Sequence, residues 1–363
     1  MGVRLIKPSP SDAAAVARQL GPLQRRLLRE PDIVVRFVES LPTPDLQYVE
    51  LEKSGFTRDG FYLLQSGKRR AKVRVAFEQI GEECEIVCES GLQSVPLLLA
   101  IVNLTALKKR CVPLHASAFE YEGTGILLAG WSKGGKTEAL LAFAAQGARF
   151  IGDEWILLDG SGEKMYGIPE NIRLWDWHLE NLDHVRKQMP HSQLLFFRSV
   201  RWLDRMQRRI PENGLGRFFP FRLMREVLPG LKRQLNVQLE PEKIFGTGLG
   251  PFVGKPEKVF FLMSQEGTEI SIERTDALQV ARRMAASVHH EELGLFANYL
   301  AYKFAFPERS SKLLEHAAEL QCKLLCQALA GKEAYLVRHP YPIALNKLYE
   351  AMKPYCTNKG KPS

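Results

Sequence analysis

No apolar run in the chain is long enough to cross a bilayer: the longest, Val95 to Val102, falls well short of the roughly 20 residues a spanning helix needs. The first residues carry no apolar signal core, so a cytoplasmic location is the expectation. Cysteine is sparse, six in 363 residues, with two local pairs, Cys84/Cys88 and Cys322/Cys326, and Cys111 and Cys356 alone. Neither C-x-x-C nor H-x-x-x-H occurs, which removes the usual closely spaced zinc signatures. Reduced structural thiols are expected, with a zinc clip between distant pairs as the alternative. Internal repeats and low-complexity tracts are also lacking, which argues against a solenoid or a disordered chain.

What is present is a composition 45% apolar over 363 residues, enough for a large core and for two or three domains. The net charge of +9 is uneven, because residues 181 to 235 hold twelve Lys or Arg against four Asp or Glu. That stretch also carries Phe196, Phe197, Trp202, Phe218, Phe219 and Phe221. It suits an acidic partner, an anionic membrane surface or nucleic acid; the plainer reading is a solvated helical insert whose aromatics pack on the core.

Residues 1 to 93 alternate β-rich runs, Ile33 to Val38, Phe61 to Leu64 and Ala71 to Phe77, with turn signals at Thr57 to Gly60 and Ser66 to Gly67, and read as a small separate N-terminal α/β domain. A buried helix is expected over Pro96 to Arg110. Strands at Leu114 to Tyr121 and Gly125 to Ala129 follow, joined as a hairpin by Glu122-Gly123-Thr124. Lys136 to Gln146 reads as a helix capped by Gly147, and Phe150 to Leu158 as one interior strand. Further on, the glycine cluster Gly246 to Gly254 reads as a plain turn. Strands are expected at Lys258 to Met263, at 268 to 274 and at 333 to 338, with helices within 276 to 330 and from about 343. The divisions are then 1–93, a core over 94–275 that includes the basic insert, and a mainly helical region over 276–363.

Gly130-Trp131-Ser132-Lys133-Gly134-Gly135-Lys136-Thr137 fits G-x-x-x-x-G-K-[ST] and stands between a predicted strand and a predicted helix, the setting that makes such a match meaningful. Glycines let the backbone curl round an anion, and the helix start adds unpaired N–H groups and a positive dipole end. In such a loop Lys136 reaches the β and γ phosphates and the Thr137 hydroxyl ligates Mg²⁺. Asp153 and Glu154 interrupt an apolar strand, where a carboxylate is costly unless paired or bound to metal. One would serve the metal and the other would take a proton from an attacking hydroxyl; the alternative is a strand-end pair facing solvent. Glu138, just after Lys-Thr, either touches the metal shell or favours the helix N-terminus. His115 opens the preceding strand and, taken alone, reads as a structural histidine.

Together these residues resemble the catalytic domain of bacterial HPr kinase/phosphorylase and its serine kinase relatives, over about residues 112 to 160: a His-containing strand, a glycine loop ending Gly-Lys-Ser-Glu, and an early Asp-Asp strand. The resemblance implies an α/β fold with a P-loop kinase core of the HPr kinase type, using ATP or GTP with Mg²⁺ and tending to oligomerise. It implies Asp153 as catalytic base, Lys136 and His115 beside the transferred group, and Thr137, Glu138 and Glu154 around the metal. It implies Gly130, Ser132, Lys133, Gly134, Gly135, Lys136 and Thr137 as the nucleotide cradle. Through a vaguer likeness of Ile168 to Leu174, it adds Arg173 as a phosphate contact. Trp131 and Lys133 depart from the family's usual Asp and Gly, and the second acid is Glu. No stretch matches the family's protein-substrate signature, so neither HPr as acceptor nor phosphorylase activity is implied. The expected activity is phosphorylation of a hydroxyl, on a protein or peptide serine or a small molecule; the alternative is a nucleotide-dependent switch or ATPase whose basic segment binds an acidic partner or nucleic acid.

Overall fold

The computed structural model describes residues 1–22, 26–65, 71–180, 182–209 and 219–357; the expected turn at Ser66 to Gly67 and Phe218 of the basic stretch lie outside them. The fold is mixed α/β with several sheets. The chain divides into two compact units, residues 1–170 together with 247–363, and residues 171–246.

In the larger unit, residues 3–89 supply a seven-stranded sheet. Strict alternation along Ile33–Val38 and Ala71–Val75 puts Ile33, Val35, Phe37, Val73 and Val75 on the buried face, the two-residue period of a half-buried strand. A helix over Pro10–Leu20 connects the parallel strands Val3–Ile6 and Ile33–Val38. Its start is fixed by a capping box in which Ser9 and Asp12 each accept from the other's backbone. The helix Leu98–Lys108 is apolar on nearly all sides and packs against the strand Cys111–His115 and the helix Lys312–Leu329, as a helix without a polar face must.

A six-stranded sheet follows, in the order Arg149–Gly152, Ser117–Tyr121, Thr124–Gly130, Lys258–Ser264, Glu333–His339, Ser271–Arg274. Its central strands Thr124–Gly130, Lys258–Ser264 and Glu333–His339 run parallel, and Thr124–Gly130 is buried along its whole length. The predicted hairpin is present, with Tyr121 opposite Thr124 and positive φ at Glu122 and Gly123, the twist-matched two-residue turn.

Two expectations fail in the same way. Leu114 to Tyr121 is not one strand: Cys111–His115 belongs to a four-stranded sheet with Trp155–Asp159, Met165–Gly167 and Val253–Gly254, while Ser117–Tyr121 belongs to the six-stranded one. His115 therefore ends a strand and does not open one. Phe150 to Leu158 likewise divides into Arg149–Gly152 and Trp155–Asp159, one in each sheet. The polar residues at the crossings, His115 and Ser117 in one run and Asp153 and Glu154 in the other, are themselves buried or partly buried, so they do not announce a strand end as an exposed turn would. The two crossings are bonded to each other, Ala116 N–H donating to the Glu154 carbonyl at 3.2 Å. The glycine cluster is also more than a turn, since its strand Val253–Gly254 pairs with Met165–Gly167.

In the smaller unit a two-stranded ribbon, Ile172–Trp175 with Asn236–Leu239, accompanies two packed helices, His191–Arg209 and Phe219–Lys232.

Candidate functional site

The buried strand Thr124–Gly130 ends in the glycine loop, and the helix Lys136–Ala144 begins at Lys136 with Gly135 as its N-cap. Gly135 has φ +100, and a Cβ there would lie 2.3 Å from Nε2 of His339, so this position accepts only glycine. His339 is fully buried and donates from Nε2 to the Gly134 carbonyl at 2.9 Å, bracing the loop from behind. Ser132 and Lys133 are exposed at the loop tip, and Gly134 N–H donates to the Trp131 carbonyl at 3.0 Å. The Lys136 ammonium donates to the carbonyls of Gly130 at 3.1 Å and Trp131 at 2.9 Å. Burial lowers its pKa, against the opposing pull of Glu154 and Asp153.

Thr137 directs its hydroxyl at Asp153, with Oγ1 3.4 and 3.3 Å from the two carboxylate oxygens. Asp153 is only 2% exposed, and Ser117 donates to its Oδ1. Burial, reinforced by the neighbouring Glu154 charge, pushes the Asp153 carboxyl up to about 6. A carboxyl in such surroundings exchanges its proton near neutral pH, as a general base must.

Between the acids the backbone makes a three-residue turn, Trp155 N–H donating to the Asp153 carbonyl at 2.7 Å with Glu154 at φ +63. A turn of this form is rare and strained for a residue with a side chain. It aims the consecutive side chains at different partners, Asp153 at Thr137 and Glu154 at His115. His115 Nε2 lies 3.0 Å from Glu154 Oε2, and its Nδ1 lies 2.9 Å from Glu291 Oε1. Burial alone would lower the His115 pKa, but the two carboxylates carry it upward; His115 in turn holds Glu291 low. The imidazole thus lies between two carboxylates that favour its protonated form, and the Trp155 ring lies 5.9 Å from it.

The structure brings His115, Lys136, Thr137, Asp153 and Glu154 together, and Glu138 is buried in the first turn of the same helix. Arg173 lies in the smaller unit, exposed on the strand Ile172–Trp175 opposite Gln238. Sequence reasoning missed four contributors: Ser117, Glu291, His339 and His290, whose ring stacks on Trp131 at 4.8 Å. Ser117 stands two residues after His115 and was within reach of the motif. Glu291 and His290 end the helix Ala277–Glu291, more than 130 residues from the acids, and no local pattern links them to the loop.

Among the described residues no group of three or more His, Cys, Asp or Glu is arranged to hold a metal ion. Mg²⁺, however, ordinarily takes one or two carboxylates and draws its other oxygens from phosphates and water. The Thr137 hydroxyl, the buried Glu138 next to it and the Asp153-Glu154 pair, whose Asp153 faces that hydroxyl, supply oxygen donors that fit that requirement. Neither protein-family models nor curated proteins give any match to the chain.

Proposed function

We propose that the chain is a Mg²⁺-dependent phosphotransferase of the HPr kinase type, built on a P-loop kinase core, that moves the γ-phosphoryl group of ATP or GTP to a hydroxyl of a protein or peptide serine or of a small molecule. The observation that carries this reading is the contact between Thr137 and the fully buried Asp153 directly behind a glycine loop. A carboxylate is buried at such cost only where a partner repays it, and a hydroxyl beside the loop lysine is the partner a phosphate site provides.

In this reading the loop N–H groups and Lys136 bind and orient the triphosphate, exchanging the lysine's bonds to Gly130 and Trp131 for phosphate oxygens. Thr137 and Glu154, with Glu138 beside them, would hold the metal, which when bound would supply neutralisation of the phosphate charge. Asp153 takes the proton of the acceptor hydroxyl as its oxygen attacks the γ phosphorus. His115, held in charge and orientation by Glu154 and Glu291, offers positive charge where the transferred group gathers negative charge.

Asp153→Asn tests the reading. Incubation with γ-labelled ATP and cell extract should lose transfer of label by roughly 10²–10⁴-fold, while calorimetry still records binding of Mg-ATP. Full transfer by the variant would remove Asp153 from the base role, and release of label only as free phosphate by the wild type would replace the kinase with an ATPase or switch.

A further inference from the structure

The smaller unit contains a cavity of about 120 Å³ lined by Arg186, Arg198, Arg201 and Arg205 together with Asp176 and Glu180. Three of the arginines stand at i, i+3 and i+7 on one face of the helix His191–Arg209, with the buried Phe197 anchoring that face. Like charges at this spacing repel and weaken a helix. The two acids do not relieve them evenly, because Arg201 takes both: its Nε bonds the Asp176 carboxylate, its Nη1 bonds Glu180, and its Nη2 donates to the Asp176 carbonyl at 3.0 Å. Among the described residues no carboxylate pairs with Arg186, Arg198 or Arg205. The cavity therefore holds three exposed guanidinium groups without such a carboxylate partner around a fourth that is fixed in place, with a net excess of two positive charges over Asp176 and Glu180.

We propose that this cavity binds a phosphate monoester. Its volume corresponds to about four waters, enough to admit a terminal phosphoryl group. A phosphodiester within a nucleic-acid strand carries two free oxygens between bulky sugars, whereas a monoester dianion presents three to the arginines that line the cavity. A carboxylate would meet only one of the two excess charges, whereas a monoester dianion meets both. Planar guanidinium forks are suited to bidentate bonds with phosphate oxygens. Arg201, held by Asp176 and Glu180, sets the cavity's shape, and Arg186, Arg198 and Arg205 supply the binding charge. The ligand is a phosphorylated side chain or metabolite, or the headgroup of a phosphatidic-acid-like lipid, which share this chemistry.

The test is calorimetry on the full chain with O-phosphoserine, and sedimentation with phosphatidylcholine vesicles with and without phosphatidic acid. Three proteins are compared: wild type, Lys136→Ala to silence the glycine loop, and the double variant Arg198→Gln/Arg205→Gln. The wild type and Lys136→Ala should bind alike. The double variant should bind about tenfold more weakly or worse, since each charge-assisted bond carries that order of affinity. Its unfolding temperature without ligand should equal or exceed that of the wild type, because a repulsion has been removed. Binding to phosphatidic-acid vesicles but not to phosphoserine would assign the headgroup as the source. Undiminished binding by the double variant, loss of binding in Lys136→Ala, a lowered unfolding temperature in the double variant, or binding of a single-stranded oligonucleotide that phosphoserine does not displace would each overturn the proposal.

Discussion

Gly135 shows how narrowly single residues are specified around the glycine loop. Its φ of +100 alone disfavours any side chain, and the imidazole of His339 occupies the space a Cβ would need. Gly135→Ala should therefore destabilise the protein by about 3 kcal/mol, measured by urea unfolding. In a double-mutant cycle, His339→Ala should cost less in the Gly135→Ala background than in the wild type, because there it also relieves the steric part. Glu154 is the opposite case, a residue with a side chain kept at φ +63 because its carboxylate is wanted opposite His115. The glycine loop, the lysine and the acid pair were legible in the sequence because each declares itself within a few residues. His339 was not, since a histidine inside an apolar strand looks the same whether it serves a site or merely finds a hydrogen bond.

Helix ends and strand ends do most of the positioning. The helix Ala277–Glu291 runs directly into Leu293–Ala305, and the junction carries Glu291 toward His115 while Glu292 turns inward. Glu292 is fully buried, accepts from Gln321 Nε2 with both oxygens at 2.9 and 2.8 Å, and has its pKa pushed up to about 7, by burial foremost. A folded-state pKa above the unfolded value means that the native protein holds the proton more tightly, so stability falls as pH rises from about 4.5 to about 7 and stays reduced beyond. Glu292→Gln removes that loss and can also donate to the unpartnered Gln321 Oε1. It should leave stability unchanged near pH 4 and raise it by up to about 3 kcal/mol near pH 8, as followed by thermal unfolding across that range. Most elements could be read from periodicity and caps; the helix Pro10–Leu20 was overlooked although Ser9, Pro10 and Asp12 spell its start. The divided strands were beyond such reading, because polar residues inside a β-rich run can mark a site as well as a crossing, and apolar flanks report burial and not which sheet does the burying.

At the scale of the whole molecule, the chain leaves the larger unit after Met165–Gly167 and returns at Val253–Gly254, and these two strands are antiparallel neighbours, Tyr166 opposite Val253. The larger unit thus closes on itself without the intervening residues. Replacing 171–246 by a short Gly-Ser linker should yield a protein that unfolds cooperatively and retains Mg-nucleotide binding in calorimetry, while losing the phosphate monoester site. Failure to fold would make the smaller unit part of the larger unit's stability. The crossings at Ala116 and Asp153-Glu154 have a mechanical meaning as well. Thr137 hangs from the helix that follows a strand of one sheet, while Asp153 sits on the chain passing into the other. Any slip of one layer over its neighbour must alter the gap between that hydroxyl and that carboxylate, so the spacing acts as a gauge that registers alignment of the layers in the very atoms on which the chemistry would turn.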